Sequence, residues 1–196
     1  MQHIFYLMGK SAAGKDALYQ SLLKNEELPL KKIVLYTTRP IRAGEEEGRE
    51  YYFTDEEGFL RLKAEGKIIE SRSYDTVHGI WTYFTADDGQ IDLSKASYLG
   101  IGTLESYEKM LAYFGRKVMV PLYIEVEDGE RLTRAIKREK EQDNPRYAEL
   151  CRRFLSDSRD FSEENLERAG IGRRFYNGNL AECLSEIEKF IKTMLY

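Results

Sequence analysis

Three clusters in this sequence have the residue types and spacing to handle phosphate. The first is "GKSAAGKD", Gly9 to Asp16. Its G-x-x-x-x-G-K spacing suits a loop whose backbone amides curl around a polyphosphate, because glycine reaches the conformations such a curl needs. Gly9, Lys10, Ser11, Ala12, Ala13 and Gly14 would line the cradle. Lys15 would add a mobile cation for the outer phosphates, and a following helix would present its positive end to the anion. Asp16 then stands where Ser or Thr is usual. A carboxylate is a harder Mg²⁺ ligand than a hydroxyl, so Asp16 could hold the ion directly or through water. It could equally be an acid in a helix's first turn, favoured by the dipole, or mark a weak nucleotide site. The sequence leaves these readings open.

The second cluster is "TTRPIRAGEEEGREYYF", Thr37 to Phe53. Arg39, Arg42 and Tyr51 lie around the turn-forming Gly44 and Gly48. Guanidinium forks three residues apart with hydroxyls beside them suit a phosphate monoester, whose oxygens they bind bidentately. The third cluster is Arg131, Arg134 and Arg138, whose spacing of three and four places them on one helix face. His3 reads as a strand-edge side chain and His78 as a turn residue.

These clusters need elements to hold them. "HIFYLM" is a short apolar run ending at Gly9 and reads as a buried strand, while Ala17, Leu18, Leu22 and Leu23 follow helical spacing after Lys15. Strand, glycine-rich turn and helix therefore occur in the order a phosphate loop requires. "KKIVLY" is a second strand. Residues 37–85 are charged and glycine-punctuated, with strands at "EYYFT", "KIIESRSY" and "IWTYFT", and read as a small, partly antiparallel insertion. "ASYLGIG" and "KVMVPLYIEV" are buried strands with the helix "TLESYEKMLAYF" between them. "DGERLTRAIKREKEQ" is a helix running into "DNP", where Asn144 would cap a new helix with Pro145 in its first position. A strand around "RRFYN" precedes a last helix from Leu180 to Met194. The alternation predicts a three-layer α/β fold with a mainly parallel core sheet.

A chain of 196 residues with 42% hydrophobic and 33% charged residues has the composition of an ordinary globular protein. A net charge of −4 argues against bulk attraction to nucleic acid or an anionic membrane. No apolar run approaches the ~20 residues of a membrane span. Cys151 and Cys183 are far apart and lack metal-type spacing. These features predict a cytoplasmic protein with free thiols.

With these residues the chain resembles guanylate kinases, whose acceptor segment reads T-T-R-x-x-R-x-G-E-x-x-G-x-x-Y-x-F. Every fixed position is matched between Thr37 and Phe53. The resemblance extends to the phosphate loop, to "IIES" with Glu70, to the arginines from Arg131 to Arg153, and to "YNGNL" around Asn177. It implies a P-loop NTPase core from residues 1–36 and 86–196, a helical lid at about 134–155, and an inserted monophosphate-binding domain at 37–85. It also implies that Arg39, Arg42 and Tyr51 hold the acceptor phosphate, and that Glu70 accepts hydrogen bonds from a guanine edge. Arg134, Arg138 and Arg153 would be lid arginines acting on ATP, and Asn177 would lie near the adenine. The implied reaction uses ATP with Mg²⁺, with Asp16 as the candidate metal ligand. GMP is the acceptor that fits best; another small phosphate such as ribose 1,5-bisphosphate, or a non-catalytic protein-binding domain, are the alternatives. Nucleic acid and membrane are not expected partners, and a monomer or homodimer is expected.

The departures are specific. Leu35 and Tyr36 stand where the family has a serine before T-T-R. Gly100 and Gly102 replace the two acids of a D-x-D strand end, and "HGIWTYF" replaces the aromatic turn N-Y-Y-G-[ST], leaving Trp81 or Tyr83 as substitutes. The G-K-D of Gly14 to Asp16 is similar to that of ribose 1,5-bisphosphate phosphokinases, which makes Asp16 compatible with an active kinase.

Overall fold

The chain threads nine strands and seven helices through the described residues: β1 (Ile4–Met8), α1 (Lys15–Lys24), β2 (Leu30–Lys32), β3 (Leu35–Thr37), β4 (Tyr51–Phe53), α2 (Glu56–Ala64), β5 (Ile68–Thr76), β6 (Gly79–Ala86), β7 (Ser97–Gly102), α3 (Leu104–Phe114), β8 (Met119–Glu125), α4 (Asp128–Lys140), α5 (Tyr147–Asp160), α6 (Glu163–Arg168), β9 (Arg174–Tyr176) and α7 (Leu180–Leu195). The structure is a computed structural model and describes residues 1–76 and 79–196. His78 lies outside the described residues.

β1 forms the centre of a five-stranded sheet, ordered β2-β7-β1-β8-β9, in which every pairing is parallel. It is buried on both sides, as a parallel strand with helices on each face must be. Phe5 and Leu7 pack with Leu18, Leu22, Ile187 and Ile191 from α1 and α7. Ile4, Tyr6 and Met8 turn the other way, onto Tyr107 and Met110 of α3 and Leu166 of α6. Each such side chain contributes about 1.5–3 kcal/mol on full burial. This is the expected three-layer α/β fold.

A second sheet, ordered β4-β3-β6-β5, mixes one parallel pairing with two antiparallel ones. α2 covers one face of it through Phe59 against Phe84, with Tyr36 stacked on the same ring. α2 has a plain start signal in Asp55, whose carboxylate accepts from the Gly58 amide.

Two expectations need correction. "KKIVLY" is not one strand: β2 joins the core sheet and β3 joins the small one. Between them the Ile33 amide bonds Leu99 O while the Val34 amide turns to the Gln90 side chain. Helix α5 starts at Tyr147 with Arg146 as its cap, not at Asn144 and Pro145. The buried Glu139 carboxylate accepts the Arg146 amide and fixes the entry there.

Candidate active site

The phosphate loop leaves β1 at Gly9 and enters α1 at Lys15. Gly14 is required by geometry: its φ is +84°, and a Cβ there would collide with the Asn177 amide nitrogen. That nitrogen donates to Ala13 O at 2.8 Å, so Asn177 clamps the loop from below while only 2% exposed. Ala12 is held at φ +63°, a left-handed conformation that costs a non-glycine residue about 1 kcal/mol. Lys15 Nζ donates to Lys10 O at 2.9 Å, and burial lowers its pKa. Lys10 itself pairs with Asp128 at 3.1 Å.

The loop's Ser11 amide has a partner the sequence did not suggest. It donates to Oδ2 of Asp157 on α5 at 2.7 Å. Arg131 fixes that carboxylate from α4 at 3.2 Å, and also donates to Ser11 O at 3.2 Å and to Asp128 at 3.0 Å. Its guanidinium lies 4.2 Å from the Phe154 ring and is almost wholly buried. A carboxylate therefore occupies an amide that a phosphate loop would offer to a phosphate oxygen.

The arginines expected in the lid divide into two groups. Arg138 and Arg153 line a narrow crevice with Ser11 and Arg131. Arg134 turns away from Ser11 to Glu130 and to Asn177 O, the latter at 2.8 Å.

The residues expected to hold the acceptor gather on the face of the small sheet opposite α2. Arg39 is 3% exposed and grips Glu45 with both fork nitrogens, at 2.8 and 3.0 Å, which raises its pKa further. Its guanidinium lies 5.4 Å from the Tyr51 ring, and Tyr51 meets Tyr83 edge-on at 5.6 Å. Arg42 is exposed and sits 5.9 Å from the Trp81 ring. Further along the same face, Glu70 is buried, which raises its pKa. Its Oε1 accepts from Thr85 at 3.0 Å, and Oε2 lies 3.5 Å from Arg72.

Inside the core sheet the two glycines of β7 make room for Tyr6 of β1. The register sets Tyr6 against Gly100 and Met8 against Gly102. A Cβ at Gly100 would come within 2.8 Å of the Tyr6 ring, and one at Gly102 would overlap its hydroxyl. That hydroxyl sits beside Ser106 and Arg72, and burial pushes its pKa up to about 12.

Asp16 and Tyr51 share a cleft of about 490 Å³, also lined by Tyr19, Lys32 and Ile101, so the loop's helix and the acceptor cluster border one space. Asp16 is exposed there. Among the described residues no group of three His, Cys, Asp or Glu side chains could hold a metal by itself. That fits Mg²⁺, which is commonly bound by one or two carboxylates together with substrate phosphates and water. Asp16 would be the protein ligand, and the ion would neutralise phosphate charge.

Comparison with known proteins shows what this arrangement is similar to. A family profile described as guanylate kinase matches residues 1–81, the stretch that holds both the loop and the acceptor cluster. This segment is similar to guanylate kinases. It is 45% identical over 67 residues to the guanylate kinase of Anaplasma phagocytophilum, covering 34% of this chain and 32% of that one. It is 48% identical over 77 residues to the guanylate kinase of Oleidesulfovibrio alaskensis, covering 39% and 35%. The chain thus spans about a third of the length of the curated relatives it matches. Its fold is similar over nearly its whole length to the crystal structure of the Anaplasma phagocytophilum guanylate kinase, with a TM-score of 0.69 at 23% identity, covering 98% of this chain and 86% of that one. The architecture is therefore the guanylate kinase P-loop fold. No described helix is long and apolar enough to cross a membrane, and both cysteines are free thiols.

Proposed function

We propose that this protein transfers the γ-phosphoryl group of ATP to a nucleoside monophosphate, with GMP the acceptor that fits best. The observation that carries this is the single cleft shared by Asp16 at the phosphate loop and Tyr51 of the acceptor cluster. A donor phosphate in the loop and an acceptor phosphate on Arg42, Tyr51 and Arg39 would face each other across it. The reaction needs alignment and charge neutralisation and no covalent intermediate. Lys15 would follow the transferring phosphoryl, and Arg138 and Arg153 would offset charge on its oxygens from the lid side. Asn177, which supports Gly14, would hold the loop against the nucleotide.

ADP release measured over a panel of monophosphates with ATP and Mg²⁺ tests the reading. GMP should turn over, and Lys15→Ala should cut the rate by about 10²–10⁴ through loss of a transition-state charge contact. Near-normal turnover in a folded Lys15→Ala protein would exclude the mechanism. Asp16 favours ribose 1,5-bisphosphate as a second acceptor to include, because of the G-K-D it shares with those phosphokinases. No ADP release with any acceptor would leave a binding domain.

A further inference from the structure

The small sheet narrows at Thr82, but β5 and β6 run on. The Thr38 amide donates to Thr82 O at 2.9 Å, and the Thr82 amide donates to Thr38 Oγ1 at 2.9 Å. Beyond that point Tyr74 pairs with Trp81 and Asp75 with Ile80, so the two strands continue as an arm of their own. Two-residue alternation puts Trp81 and Tyr74 on the face that carries Tyr83. Tyr74 meets the Tyr83 ring edge-on at 5.9 Å, so the arm extends the acceptor cluster outward.

The two arginines of that cluster are held in different ways. Arg39 is buried and gives both fork nitrogens to the Glu45 carboxylate. The same carboxylate accepts the Arg42 amide at 2.8 Å, and the Glu45 amide donates to Arg42 O at 3.1 Å. The backbone of Arg42 is thereby fixed beside the Arg39 fork. Its side chain is exposed, and among the described residues its guanidinium has no hydrogen bond or ion pair. What it has is the Trp81 ring, whose centre lies 5.9 Å away. An aromatic face steers a guanidinium without using up its N–H donors. A carboxylate in that place would use them and repel an incoming phosphate.

We propose that Trp81 is a positioning residue of the acceptor site, steering the Arg42 guanidinium so that its donors stay open to the acceptor phosphate. The proposal rests on the phosphotransferase reading above and deepens it. It concerns how the phosphate is held and not how a base is read, so it applies equally to a nucleoside monophosphate and to ribose 1,5-bisphosphate.

The test is kcat and KM for GMP, AMP, CMP, UMP and ribose 1,5-bisphosphate with saturating ATP and Mg²⁺. The proteins are the unaltered chain, Trp81→Leu, Trp81→Phe, Arg42→Ala and the double variant Trp81→Leu with Arg42→Ala. Thermal unfolding and the KM for ATP report on the fold. Trp81→Leu stays apolar but loses the ring. It should raise KM about 2- to 5-fold for every acceptor that turns over, the range of an exposed cation–π contact, and leave kcat nearly unchanged. Trp81→Phe restores a ring and should recover most of that loss. In the Arg42→Ala protein, Trp81→Leu should add nothing, because the group it steers is gone. An unchanged KM in a folded Trp81→Leu protein would overturn the proposal, as would an equal Trp81→Leu effect with and without Arg42. A loss confined to one base would also overturn it, by showing that Trp81 stacks on the base. Turnover of none of the five acceptors would overturn the phosphotransferase reading and the proposal together.

Discussion

Asp157→Asn tests how strongly the α5 carboxylate competes with phosphate for the loop amide of Ser11. Asp157 Oδ2 holds the Ser11 amide at 2.7 Å and pairs with Arg131 at 3.2 Å. A phosphate oxygen on that amide must displace it, so nucleotide binding includes the cost of ejecting a carboxylate. A hydrogen bond to a charged acceptor contributes about 1.5–3 kcal/mol net, and one to a neutral acceptor about 0.5–1.5. Arg131 stays anchored by Asp128 and Ser11 O, so the change is close to the difference, about 1–1.5 kcal/mol. Asp157→Asn should therefore tighten Mg·ATP binding about 5- to 10-fold by calorimetric titration. The same energy should disappear from the nucleotide-free protein, lowering its Tm by about 2–6 °C. Asp157→Ala removes the acceptor altogether and should move both quantities in the same directions. Weaker ATP binding in both variants would mean that the carboxylate stays with the bound nucleotide, and the displacement argument would be wrong.

If Asp16 ligates Mg²⁺, Asp16→Ala should raise the Mg²⁺ concentration for half-maximal activity and Asp16→Ser should restore much of it; an unchanged Mg²⁺ titration in both would leave a helix-terminus acid. Arg42→Ala, exposed and outside the base-facing end of the sheet, should raise KM about tenfold for every accepted monophosphate without altering their ranking; a changed ranking would show that it reads the base. Tyr6, Tyr107 and Tyr123 have hydroxyls that burial pushes up to about 12, against an ordinary value of 10. The folded chain keeps these protons longer than the unfolded one, so this stabilisation is complete below about pH 10 and is lost as pH climbs toward 12, by at most about 3 kcal/mol per group. Urea midpoints from pH 9 to 12 should fall, and Tyr6→Phe should flatten that fall; an unchanged slope would show that Tyr6 does not contribute.

The strand, loop and helix at Gly9 to Lys15 were legible because apolar run, glycine spacing and helical periodicity all indicate one arrangement. Arg39, Arg42 and Tyr51 were legible as a set, since one motif names all three, whereas Trp81 and Tyr83 lie outside it, and only the structure shows Tyr83 beside Tyr51 and across from Arg72. The strand exchange within "KKIVLY" was hidden because every residue from Ile33 to Tyr36 suits a strand, and only the partners of Ile33 and Val34 differ. Asp157 was hidden for a different reason. It meets Ser11 across 146 residues, and nothing local to α5 distinguishes a carboxylate aimed at a loop amide from one facing water. Arg72 shares a face with Glu70 by the two-residue period of a strand, but their relative depth depends on Thr85, Ser106 and Tyr6 from three other elements.

Tyr6, Gly100 and Gly102 constrain the history of this chain as well as its shape. They occupy adjacent strands in fixed register, and no one of them can change without the others registering it. An acid introduced at 100 or 102 alone runs into the tyrosine, a steric cost of about 1–3 kcal/mol. A small residue at 6 alone opens a void worth about 3–5 kcal/mol. Set against a total stability of about 5–15 kcal/mol, either intermediate gives up a sizeable part of the margin. Passage between the tyrosine with glycines and an acid pair is therefore easiest by coupled substitutions, and the effects of changing Tyr6, Gly100 and Gly102 should be non-additive.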